Sequence, residues 1–189
     1  MYHEHPDLIK WNKAFLELAK KHQIVDTMPT QKDIDEYIEH GMIISIFEYC
    51  GLKVFKVDTY DDCNFYQDDN YYKNKLDTLN IFLGDLINIS NVSEVYYDNE
   101  PCRLHLSFTL NGERKNMDIK TNEEWDHVPW SFIELLWSIL NPHIETANLY
   151  VVAGDFDNGY FKLPPAFLAD LKKLDEQYPD DFVYTSTGI

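Results

Sequence analysis

From Arg103 to Leu110 polar and apolar residues alternate without a break, Asn111-Gly112 follows, and a second run returns over Arg114 to Lys120. Leu104, Leu106, Phe108 and Leu110 occupy one parity, and Arg103, His105, Ser107 and Thr109 the other. Strict alternation describes a strand with one face buried. Asn-Gly supplies the two positive-φ residues that a two-residue hairpin loop demands. This stretch therefore predicts an antiparallel hairpin, and the rest of the chain has to fold around it.

The sequence before the hairpin has a helical period. Leu8, Trp11, Phe15, Leu18 and Ala19 fall at helix spacing, with Asp7 placed to cap. Thr30 with Asp33 three residues on resembles a capping box, although Glu or Gln is the usual partner. It precedes a face of Ile34, Tyr37, Ile38, Met42, Ile46 and Tyr49, interrupted at Gly41 and stopped at Gly51. Leu52 to Val57 reads as a short strand, and residues 58–72 as a polar loop. A third helix carries Tyr72, Leu76, Leu79, Phe82, Leu83 and Leu86 and ends near Asn88. Val92 to Tyr97 is a strand.

After the hairpin, Pro129 opens a helix with Phe132, Leu135, Leu136, Ile139 and Leu140, and Asn141-Pro142 ends it. Leu149 to Ala153 and Tyr160 to Leu163 form a second hairpin, with its turn at Asp157-Asn158-Gly159. Pro164-Pro165 opens a last helix through Phe167, Leu168, Leu171 and Leu174. Two hairpin-plus-helix units imply an α+β fold, with N-terminal helices packed on a mostly antiparallel sheet. At 189 residues, and about 150 residues per domain, we expect a single domain over 1–189. Its helical part covers about 1–90, its hairpin and helix part about 91–176, and a tail 177–189.

Charge narrows the function. The chain holds 33 acids and 16 bases, a formal net charge of −17. Such a chain repels a phosphate backbone and an anionic membrane, so neither nucleic acid nor membrane is an expected partner. No apolar run approaches the length of a membrane span. The N-terminus, with no basic region followed by an apolar one, does not read as a signal peptide. Three cysteines, Cys50, Cys63 and Cys102, show no CxxC spacing and read as incidental thiols of a cytoplasmic protein.

The motifs that carry chemistry are each incomplete. In Gly154-Asp155-Phe156-Asp157-Asn158-Gly159 the glycines match the frame of a phosphate loop, but Tyr160 and Phe161 stand where Lys and Ser or Thr belong. As a calcium loop it has its glycine one place early and no Glu at the twelfth position. His3-Glu4-His5 sets two imidazoles at metal-ligand spacing on a strand, but with too few further ligands nearby. His105, opposite in parity to Leu104 and Leu106, reads as a satisfied sheet histidine. Ser107 and Ser131 lack a nucleophile elbow. No cofactor is expected, and the sequence leans away from an enzyme. A metal-dependent hydrolase with an acidic cleft and an accessory, oligomeric structural protein are the alternatives.

Acid and tyrosine coincide. Residues 57–72 contain five Asp, four Tyr and no base, and 94–102 and 174–189 are also without a base. Tyr brings contact area on few rotors, and Asp meets Arg or Lys at close range. Together they suit a docking face for a basic protein, whose approach the net charge would speed. The candidates are Asp58, Tyr60, Asp61, Asp62, Tyr66, Asp68, Asp69, Tyr71, Tyr96, Tyr97 and Asp98. In size, charge, α+β layout and acidic-aromatic clusters the chain resembles the small acidic immunity proteins of bacterial toxin–immunity systems. That resemblance implies a non-enzymatic protein that neutralises a basic toxin domain by occlusion.

Overall fold

A computed structural model describes residues 6–25, 30, 32–33, 46–47, 49–58, 70–97, 100–120, 128–153 and 157–178. In chain order the elements are α1 (Pro6–Lys21), β1 (Val54–Asp58), α2 (Tyr71–Leu83), β2 (Ile89–Tyr97), β3 (Glu100–Leu110), β4 (Glu113–Lys120), α3 (Trp130–Leu140), β5 (Leu149–Ala153), β6 (Asp157–Lys162) and α4 (Pro165–Asp175). Single 3-10 turns follow α2 at Gly84–Leu86 and α3 at Asn141–His143. The fold is α+β. Each hairpin takes one earlier strand to make an antiparallel three-stranded sheet, β1-β6-β5 in one case and β2-β3-β4 in the other. None of the described helices is long and apolar enough to cross a membrane.

The chain divides into two compact units, Met1–Lys56 with Ile144–Ile189, and Val57–His143, the division falling inside β1. In the first unit the helical period of α1 buries Trp11, Phe15, Leu16 and Ala19. They join Phe47, Tyr150, Phe161 and Phe167 in one core. Phe47 is its hub, with ring centroids 4.4 Å from Phe15 and 4.5 Å from Phe161. Both parities of β5 are buried, Leu149 and Val151 as well as Tyr150 and Val152. A strand covered on both sides reads as a continuous apolar run, which is what Leu149 to Ala153 shows. Cys50 is buried in this core, and its burial pushes the thiol up to about 11.

The predicted second turn needs correction. Asp157, Asn158 and Gly159 lie within β6, where Asn158 pairs with Ala153 and Gly159 with Val152. The connection therefore falls on residues 154–156, outside the described residues. Turn composition was outweighed by the sheet, which admits a glycine where a strand is closely packed. The Thr30 capping box is present with its unusual partner: Thr30 N–H donates to Asp33 Oδ2 at 2.9 Å, and Asp33 N–H to Thr30 Oγ1 at 3.2 Å. The helix face predicted beyond it, from Ile34 to Met42, is outside the described residues.

In the second unit the Asn-Gly hairpin forms as expected. Leu110 pairs with Glu113 across Asn111 (φ 52) and Gly112 (φ 86). Leu104, Leu106, Phe108 and Ile119 turn inward. α2 buries Tyr72, Leu76, Leu79, Phe82 and Leu83. The rings of Phe132, on α3, and Tyr72 meet edge to face, with centroids 4.8 Å apart. α2 has neither an acidic residue in its first turn nor a side-chain cap from Asn70. Glu94 of β2 supplies one instead, accepting the Lys73 N–H at Oε1. A carboxylate there satisfies an orphan donor and complements the positive end of the helix dipole.

Candidate functional site

Most of the predicted docking residues lie outside the described residues: Tyr60, Asp61, Asp62, Tyr66, Asp68, Asp69 and Asp98. Asp58 ends β1, and only its backbone is described. Three tyrosines can be placed. Tyr71 is half-buried in the first turn of α2, its ring against Tyr72 and, at 6.5 Å, Phe132. It belongs largely to local packing. Tyr96 and Tyr97 end β2 and are exposed, as is the preceding Val95.

The two tyrosines serve opposite faces of the sheet. Tyr96 pairs with Leu104 and Glu94 with Leu106, so both share the parity of the buried leucines. The Tyr96 hydroxyl donates to Glu94 Oε2 at 3.3 Å, the same carboxylate that caps α2. Tyr97 lies on the outer face. Its hydroxyl donates to Asp118 Oδ1 at 3.2 Å, and the Arg103 guanidinium sits 4.9 Å from its ring centroid.

Asp118 is the hub of that outer cluster. His105 Nδ1 lies 2.8 Å from its Oδ1, and Arg103 reaches its Oδ2 at 3.6 Å. The His105 hydrogen bond, then that of Tyr97 and the nearby positive charges, hold the carboxyl below its usual range. A ring nitrogen bonded to a carboxylate carries the proton, which leaves Nε2 as the second polar atom of His105. Tyr97 is 39% exposed and the Asp118 side chain 48%. Water screens a cluster this open. Its chemical strength is recognition: an aromatic ring, a guanidinium and an imidazole whose rotamers are set before any partner arrives.

Sequence reasoning singled out Tyr97 and read His105 as a satisfied sheet histidine, which its bond to Asp118 bears out, but it did not bring Asp118 or Arg103 to Tyr97. The signal was present. A two-residue loop fixes register, so residues equidistant from Asn111-Gly112 must face each other. Counting outward places His105 against Asp118 and Arg103 against Lys120, as observed. Tyr97, from a segment without bases in sequence, thus lies against the Arg103 guanidinium in space.

Another exposed aromatic opens α3. Trp130 is 58% exposed, donates from Nε1 to Glu134 Oε1 at 2.9 Å, and meets Trp137 edge-on at 5.2 Å. Among the described residues no group of three or more His, Cys, Asp or Glu is placed to hold a metal ion. No protein-family model, curated protein or solved structure gives a significant match to the chain.

Proposed function

We propose that this chain is a binding protein with no catalysis of its own, and that it takes a basic protein as partner. The observation that carries this reading is the exposed end of β2, with Val95 and Tyr97 on one face of the sheet and Tyr96 on the other, and each tyrosine tip held by a carboxylate. Prearranged aromatic side chains of this kind make effective anchors, because little freedom is left to lose on binding. The net charge of −17 supplies the sign of the partner and a long-range attraction to it. In its sharper form the proposal is an immunity-type role, in which a basic toxin domain is neutralised by occlusion. The base-free segments 57–72 and 174–189 would add to the acidic surface.

The test is titration calorimetry against a basic protein that this chain retains in a low-salt pull-down, at about 0.05 and 0.5 M salt. We expect Tyr96→Ala and Tyr97→Ala each to weaken binding about tenfold or more. Exchange of Asp61, Asp62, Asp68 and Asp69 for Asn should slow association and flatten the salt dependence. Affinity indifferent to salt and to both sets of substitutions would overturn the proposal.

A further inference from the structure

One flank of α3 carries aromatic surface that the core does not use. Phe132, Ile133, Leu136, Ile139 and Leu140 are the buried residues of this helix. Trp130, Glu134 and Trp137, at steps of four and three, form a separate stripe beside them. Trp is highly buried on average, yet Trp130 is 58% exposed at the head of this stripe. Its position is set all the same. Nε1 donates to Glu134 Oε1 at 2.9 Å, and the ring stands at 90° to that of Trp137, with centroids 5.2 Å apart. Neither indole has an N–H to offer a ligand. That of Trp130 is taken by Glu134, and that of Trp137 is buried without an acceptor among the described residues. The pair therefore shows solvent ring carbon and π surface. Glu134 is exposed, and its Oε2 has no partner among the described residues. The helix holds no Lys or Arg, and residues 121–161 contain seven acids and neither base.

We propose that this stripe binds an arginine side chain of the basic partner, with the guanidinium in the corner between the two indoles and an N–H edge turned to Glu134 Oε2. The face of an aromatic ring is its negative part, and Trp attracts a cation best. At this spacing and angle one cation can lie within about 6 Å of both centroids, the range of that attraction. With no donor free, the stripe has nothing to bind a carboxylate or a phosphate. A planar guanidinium stacks on a ring and bonds a carboxylate at once, whereas an ammonium is compact and more strongly hydrated. The bond from Trp130 to Glu134 orders both side chains beforehand, which lowers the cost of binding. The inference rests on the reading that the partner is basic, and it names a contact on residues other than the β2 tyrosines.

The experiment is an NMR titration of the full chain, carrying isotope-labelled tryptophan, with the blocked tripeptide Gly-Arg-Gly. Salt is held at about 0.15 M, where exposed charges are screened beyond about 8 Å. A citrulline peptide keeps the shape of the arginine side chain without its charge, and a lysine peptide keeps the charge without the plane. We expect the Trp130 indole signal, assigned by its loss in Trp130→Phe, to shift saturably with the arginine peptide. The other two peptides should bind about threefold or more weakly, and Glu134→Gln should weaken arginine binding about twofold to fivefold. Both substituted side chains are exposed, so neither change opens the core. Glu17→Gln, which removes the same charge from α1, should leave binding unchanged. No saturable shift at Trp130, equal binding of the citrulline or lysine peptide, or an equal loss in the Glu17 variant overturns the proposal. Failure here with the β2 tyrosines still needed in calorimetry removes this contact and leaves the proposed function standing. A shift that depends on Glu134, with tyrosine variants that bind the basic protein normally, supports this contact and moves the docking face from β2 to α3.

Discussion

Asp175 ends α4 with its carboxylate turned into the first unit. Trp11 Nε1 donates to Oδ1 and the Tyr150 hydroxyl to Oδ2, both at 2.9 Å. Burial pushes this carboxyl up to about 6, against the two hydrogen bonds, which pull it down. The folded value lies above the ordinary carboxylate value of about 4, so the folded state holds the proton more tightly. The stability this group contributes is therefore present below about pH 4 and is lost as pH rises through about 6. Asp170, clasped by Lys21, His22 and Lys173, is depressed instead, and its contribution is lost only as pH falls below the ordinary value. The two windows do not overlap. We expect Asp175→Asn to flatten the decline in melting temperature between about pH 4 and 7 relative to the parent. Parallel profiles in calorimetry would show that this carboxyl does not titrate there. The tie itself was not legible in the sequence. Trp11 reads as core and Asp175 as a surface acid, and only the meeting of α1, β5 and α4 makes them partners.

Elements with a strong local signal were legible, and those that depend on a distant partner were not. Asn111-Gly112 fixed a hairpin and its register, and the Thr30 box held with Asp33 as partner. The second turn was misplaced because Asp157-Asn158-Gly159 has turn composition inside a strand. The α2 N-terminus was unreadable for another reason. Its cap, Glu94, lies 21 residues downstream of Lys73, on a strand. That residue counts as surface charge in sequence and acts as part of a helix in the fold. Glu94→Ala should lower stability by about 0.5–2 kcal/mol, the usual cost of a lost cap. It should also loosen Tyr96, whose hydroxyl it holds. Denaturant unfolding with unchanged slope reads the first effect, and no loss of midpoint would deny Glu94 its capping role.

For the whole molecule, the excess charge has a cost as well as a use. A chain at −17 repels itself when compact. Raising salt to about 0.5 M should therefore raise the melting temperature, because exposed charges are screened beyond about 4–5 Å at that strength. A fall in melting temperature would mean that exposed ion pairs such as Lys172–Glu145 and Lys115–Glu113 outweigh the repulsion. Charge read along the sequence was a sound guide to the net field and a poor one to its distribution. Strand pairing gathers Arg103, Arg114 and Lys120 on one face, while 94–102 looks wholly acidic. The chain also enters the first unit, leaves it for the second, and returns. Trp11 meets Asp175 across 164 residues. At about 5–20 residues per second of synthesis, the apolar stripe of α1 waits on the order of ten seconds for β5, β6 and α4 to emerge. The intervening unit can close around its own hairpin first. During that interval Trp11, Phe15 and Leu16 lack the strands and helix that later bury them, and a nascent chain is then most in need of a chaperone.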